Sequence, residues 1–421
     1  MRAVAIALVL ACACAADNSP APTAGAAPAP AVAPAPAPAV ARAPVAEVPA
    51  APPAKPLEAP GGHDFTAAGK ALFVAGACGE GPLPEGVPAA LHEKHCKAVR
   101  KVQDRYKANW LTRAKPFFTE KVPADLPKKV VYPFAGGDLS TALTVYPDAD
   151  EITTMSLEPA GDPRTLGALT STGKTKELTA ALAKIQQELH FIYLMTFSDT
   201  MNLIDAMRHG SLPTQLVFGL SALHMHGYEL VALRYFTLDE AGAIHYLDDE
   251  AVAKAPPVDV RSNRKNQIRN RLFANAELQY RKPGGRIQIF RHILVNLENP
   301  HLKADPRVMK HLEAKGKVAA MTKAASYLLS WDSFSTIRSY LMANAVWMVS
   351  DATGIPPQHG KAAGFTYETW GIFGESHMEA GRGVAGSWHR EFESQPKRVL
   401  NFRFGYPDKK WKHHLVIVKK A

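Results

Sequence analysis

Asp138, Glu158 and Asp351 each fall where an apolar strand pattern gives way to a loop, the edge at which open α/β sheets present groups to a ligand. Carboxylates in that position can move a proton or hold a ribose hydroxyl. They are the candidate catalytic residues of a hydrolase or a transferase. The richest setting is KKVVYPFAGGDLSTAL, which reads as a buried strand, a glycine turn and a helix start. Glycines let the backbone approach a ligand, and Asp138 and Ser140 can cap free N–H groups at the helix N-terminus. Glu158 closes a second strand, EITTMSLEP, 21 residues after Gly137. Gly136, Gly137, Asp138, Ser140 and Glu158 therefore form one candidate ligand-binding set.

Other chemistry-bearing groups are weaker. Cys78 and Cys96 flank a short Gly/Pro loop, and an even pair in an oxidising compartment is expected to form a disulfide. A metal site built from Cys78, His92, His95 and Cys96 is the alternative, disfavoured because adjacent His95 and Cys96 point apart on a helix. His224, His226 and Glu229 offer metal-competent atoms only if the segment is a strand. LVFGLSALHMHGYELV reads instead as a helix ending near Gly227, and the expectation is a surface loop where a cationic histidine is favoured. Ala168 to Thr175 satisfies the loose P-loop pattern, but the polar GDPRTLG before it is no strand. No metal and no cofactor is assigned.

The elements that must position these residues indicate an α/β protein. YELVALRYFTLD with AIHYLD, and NAELQYRKPGGRIQIFRHILVNL, read as two hairpins. A long helix is expected from Thr175 to Arg208, and two more near Asp305 to Lys315 and Val318 to Leu329. The strand AVWMVSD ends at Asp351, and RVLNFRFGYPDKKWKHHLVIVKK is expected to close the chain as an antiparallel pair. The expected architecture is a Rossmann-like mixed sheet with flanking helices and a C-terminal antiparallel hairpin, residues 128–421, preceded by a helical segment, residues 63–127.

The N-terminus limits where such chemistry would run. Residues 1–16 hold one basic residue and a nine-residue apolar run, too short to cross a bilayer, which needs roughly 20 residues. They read as a secretory signal peptide. Val9-Leu10-Ala11-Cys12 resembles the bacterial lipobox, which makes Cys12 the expected lipidation site and the membrane a partner through that lipid; cleavage after Ala13 or Ala15 is the alternative. Residues 17–62 are Ala/Pro-rich, with 13 Pro and 17 Ala between Pro20 and Pro60. Such a tract is expected to be a disordered, semi-rigid tether, up to roughly 120 Å long at about 3.1 Å per residue.

The opening FAGGD turn, with an acid closing the second strand, resembles class I methyltransferases among the Rossmann-type folds. That resemblance implies a nucleotide-like ligand at the turn, although the full G-x-G-x-x-G is absent. YPFAGGD, MSLEPAG, SYLLSWDSFSTIRSYLMANAVWMVSDATGIP and FRFGYP further resemble a group of bacterial envelope lipoproteins with no assigned activity. They imply a place and a scaffold, and carry over no catalytic residue.

The net charge of +10 is concentrated. Residues 261–291, bounded by Arg261 and Arg291, hold nine Lys and Arg against Glu277 alone. Such a patch attracts polyanions, here an anionic envelope polymer, with affinity that falls as salt rises. Phe273, Tyr280 and Phe290 alternate as core residues would, and nucleic acid is not an expected partner. Two functions follow: an exported, lipid-anchored protein that binds a ligand or partner on a Rossmann-like scaffold, or an envelope enzyme using the strand-end acids.

Overall fold

The computed structural model describes residues 61–171, 173, 175–195, 211–258, 271–323, 325–374, 385–405 and 413–421. The candidate lipidation site Cys12, the tether and the most basic part of the 261–291 stretch lie outside these residues. The described residues all belong to one compact unit.

Ten strands make one mixed sheet in the order β4-β3-β5-β6-β2-β1-β7-β8-β10-β9. Its centre, β6 (Gln288–Leu294), β2 (Glu151–Ser156), β1 (Lys129–Tyr132), β7 (Val318–Met321) and β8 (Ala345–Ser350), is parallel throughout. Antiparallel strands extend it at both sides: β3 (Glu229–Leu238), β4 (Ile244–Tyr246) and β5 (Asn275–Arg281) beyond β6, and β10 (His414–Lys420) with β9 (Phe365–Gly371) beyond β8. The architecture is the α/β one expected, with a C-terminal antiparallel pair.

The chain runs from β1 outward through β2 to β6, then returns to β7 and moves the other way to β8. The order therefore reverses between β1 and β7, and the crevice at their C-terminal ends is the topological switch point. Residues of β1, β2, β7 and β8 are almost wholly buried because helices cover both faces, so none of these strands shows an apolar/polar alternation.

Helices α1 (Thr66–Ala75), α2 (Ala89–Tyr106) and α3 (Thr112–Lys121), the last two joined by a π-helical turn at Lys107–Leu111, place Leu72, Cys96, Trp110 and Phe118 in the same core as the sheet. The sulfurs of Cys78 and Cys96 are bonded, with Cα atoms 5.4 Å apart, tying the loop after α1 to α2. The bonded sulfurs are not free ligands, so the Cys/His metal alternative is superseded. Helix α4 (Leu139–Val145) links β1 to β2; α5 (Thr165–Ser171), α6 (Thr175–His190) and α7 (Thr214–Met225) follow β2.

Two local expectations need correction. Val318–Met321 is a strand, followed by a 3₁₀ segment at Ala325–Ser330, where a helix was expected to Leu329. Its four residues are fully buried between β1 and β8, so a run of small apolar residues has no period to show. The partner of β10 is β9 and not residues 398–404, because β8 and β9 already occupy both edges of β10. Residues 398–404 instead give backbone carbonyls to the helical segment, Trp110 Nε1 donating to Arg403 at 2.6 Å and Arg113 to Asn401 at 3.2 Å. Helix α6 ends at His190 and passes into a π-helical turn, Phe191–Met195; the rest of the expected helix, to Arg208, lies outside the described residues.

Candidate functional site at the strand switch point

The turn after β1 has an unusual backbone. Phe134 and Gly136 both take left-handed φ, +57° and +53°. Such a conformation costs a non-glycine residue on the order of 1 kcal/mol or more, and here the Phe134 ring is held edge-on against Phe334, 5.5 Å between centroids. Gly137 serves packing. A Cβ built on it would lie 2.2 Å from Phe218 Cδ2 of α7 and 2.9 Å from Ile192 Cδ1. The glycine thus admits an aromatic ring of the same chain.

Asp138 is the N-cap of α4, as expected: its Oδ1 accepts from Thr141 N at 3.3 Å and Thr141 Oγ1 at 2.6 Å. Its Oδ2 accepts from Tyr132 Oη at 3.1 Å and pairs with Lys323 Nζ at 3.0 Å. Lys323 follows β7, so this ion pair bridges the two strands that flank the switch point, and its ammonium also lies 5.7 Å from the Phe404 ring centre. Both partners are about four-fifths covered, with side-chain exposures of 18% for Asp138 and 20% for Lys323.

Ser140 departs from the expected capping role. It donates to Tyr106 Oη at 3.3 Å, and its Oγ lies 3.0 Å from His226 Nε2. His226 is itself a correction. The helix ends beside Gly227 as expected, but the imidazole is turned inward, and burial first, then the charges of Lys282, Lys115 and Lys107, hold it neutral with a pKa of about 3. It is no cationic surface group. His224 is likewise shifted down, mainly by burial.

The three candidate acids divide into two places. Asp138 and Asp351 both act on Tyr132, whose hydroxyl is pushed far above its ordinary range by burial and then by those two charges. Asp351 follows β8 and is fully buried, its Oδ1 accepting from Thr353 N at 2.8 Å and from the Thr353 hydroxyl. Gly405 closes over it: a Cβ there would stand 2.8 Å from Asp351 Oδ2. Glu158 is buried beyond β2, where its carbonyl accepts from His292 Nε2 at 2.7 Å and from Ser156 Oγ at 3.2 Å. Burial holds His292 neutral, its pKa lowered to about 4.

Tyr132, Lys323 and Phe218 were not singled out in the sequence. Lys323 had one available signal: read as a strand, VAAM ends just before it and places it on the ligand-facing edge. The P-loop-like residues begin inside α5, and no strand leads into them. Phe273, Tyr280 and Phe290 are core residues, as their alternation indicated. No protein-family model and no curated protein matches the chain.

Proposed function

We propose that this chain is an exported binding protein, lipid-anchored at Cys12, whose Rossmann-like scaffold no longer holds a nucleotide at the β1–α4 turn. One observation carries the proposal: Phe218 and Ile192 take up the space that Gly137 leaves open, where a nucleotide-binding turn would keep it for the ligand. Asp138 is also spent, on the helix cap, Tyr132 and Lys323. The bonded pair Cys78–Cys96 supports an oxidising compartment, consistent with the apolar run of residues 3–11.

Isothermal titration of the full chain with S-adenosylmethionine, NAD and ATP tests the closed turn. No saturable heat is expected; saturable binding that Gly137→Val abolishes would overturn it. Mass spectrometry of the mature N-terminus tests the anchor. A lipid-modified start at Cys12 is expected, an unmodified start at Cys14 or Ala16 removes the lipid, and an uncleaved Met1 removes export.

A second function, an envelope hydrolase or transferase, is favoured by the Asp138–Lys323 pair, which lies at the switch point and stays partly accessible. Asp351 is fully buried and supports Thr353, so Asp138 alone of the three acids suits it. Loss of a measured hydrolase or transferase activity in a folded Asp138→Asn variant would establish it.

A further inference from the structure

A cavity of about 580 Å³ lies at the opposite end of the parallel strands from the switch point. Its walls come from the start of β1 at Lys128 and Val130, the loop from α4 to β2, the helix α3, and the C-terminal end of α7. The volume falls within the range of small-molecule sites, roughly 300–1,000 Å³.

The floor is apolar. Phe118, Val130, Leu143, Val145 and Met225 line it and are buried in the core. The hydroxyls on the wall are already committed: Thr112 donates to Lys107 O at 2.8 Å, Thr119 to Lys115 O at 2.9 Å and Thr144 to Ser140 O at 2.9 Å. His226, neutral, is occupied by Ser140. A sugar or another densely hydroxylated ligand would find few partners on this floor.

The rim has the opposite character. Lys107, Lys115, Lys128 and Lys282 line the same cavity, and among the described residues none of them pairs with a carboxylate; Asp148 is the one acid in the wall. Lys107 is half-buried and the other three are exposed. Lys282 is set in place, its ammonium 4.2 Å from the Tyr228 ring centre and donating to the His226 carbonyl. The fields of Lys107, Lys115 and Lys282 converge, since all three depress His226.

We propose that this cavity binds a single-chain amphiphilic anion, its alkyl chain against the apolar floor and its acidic head among the four lysines. The assignment rests on the binding role proposed above, and it names the ligand class. A carboxylate and a phosphate monoester share that chemistry. Apolar burial supplies most of the affinity, and the lysines set orientation and exclude neutral or cationic amphiphiles.

The test is titration of the full chain with oleate, 1-oleoyl-lysophosphatidate and oleyl alcohol, each below its micellar concentration. One site is expected for at least one of the two anions, and the tighter anion identifies the head group. Binding should weaken at least about tenfold for oleyl alcohol and in Lys115→Glu/Lys128→Glu, and should weaken with added salt. Ala124→Trp, which puts an indole at an exposed position of the cavity wall, should abolish binding while leaving the melting curve unchanged. Absence of saturable binding by either anion, or affinity unchanged in both variants, overturns the assignment. Nucleotide binding at the β1–α4 turn would overturn the earlier proposal and leave this one standing, so the two failures are distinguishable.

Discussion

Phe218 stands where a side chain at residue 137 would begin, with only 2.2 Å between its Cδ2 and a Cβ built on Gly137. The two residues are 81 positions apart (218 − 137) and share one space at the switch point. Gly137 is not among the residues with left-handed φ, so substituting it costs space and not backbone conformation.

Gly137→Ala should destabilise the protein by about 1–3 kcal/mol through overpacking, and Phe218→Ala by about 3–5 kcal/mol through the cavity it leaves. The double variant should lie well short of the sum, by roughly 0.5–3 kcal/mol, because the second change relieves the first. Urea denaturation midpoints decide it. Strictly additive losses would mean that the two residues do not compete for the same space.

The sequence made most of the sheet legible, for particular physical reasons. Strands β1 and β8 are near-continuous apolar runs because both their faces are covered, β2 (EITTMS) is buried on both faces although four of its six residues are polar, and hairpins β3–β4 and β5–β6 carry turn residues between alternating patterns. VAAM of β7 was lost because four small apolar residues have no period, and Lys323 was lost with it. Residues 400–404 alternate like a strand, and Phe402 and Phe404 are buried, but against Phe118 and the helical segment and without a ladder. The filling of Gly137 by Phe218 was not legible at all, since a contact across 81 residues leaves no local pattern.

Cleaving the Cys78–Cys96 bond should cost about 3 kcal/mol, the loop-closure value for cysteines 18 residues apart. Guanidinium unfolding with and without reductant measures it, with Cys78→Ser/Cys96→Ser as the permanent counterpart. Equal midpoints would show that the bond contributes nothing to stability.

Stability should begin to fall below pH 6.5, well above the carboxylate range. Burial keeps His226 neutral to about pH 3, and His292 and His311 to about pH 4. Their folded pKa values lie below the unfolded value of about 6.5, so the unfolded chain binds more protons between the two. The stability they contribute is complete above pH 6.5 and is lost as pH falls, at up to about 1.4 kcal/mol per pH unit for each histidine. Thermal melts between pH 7 and 5 should show the decline, and His292→Gln should flatten it. A constant melting temperature over that interval would contradict the buried neutral assignments.

A second, lower acid window should come from Glu151. Burial raises its carboxyl, but Lys315 and Arg291 outweigh that and hold it at about 2. With the folded pKa below the unfolded one of about 4.5, this contribution is present above pH 4.5 and lost as pH falls toward 2. Glu151→Gln leaves Lys315 unpaired and Arg291 with Glu277 alone, and should cost roughly 3–5 kcal/mol at neutral pH. A loss under 1 kcal/mol, read from urea midpoints, would show that the cluster is not held by charge.

The turn itself gives the most direct reading of the central claim. Amide hydrogen exchange across residues 133–141 can be followed with and without saturating S-adenosylmethionine. If Phe218 has taken the ligand's place, exchange in this segment is the same in both conditions. Protection of Gly136 to Ser140 by the added S-adenosylmethionine would show that the turn still binds and would contradict the account.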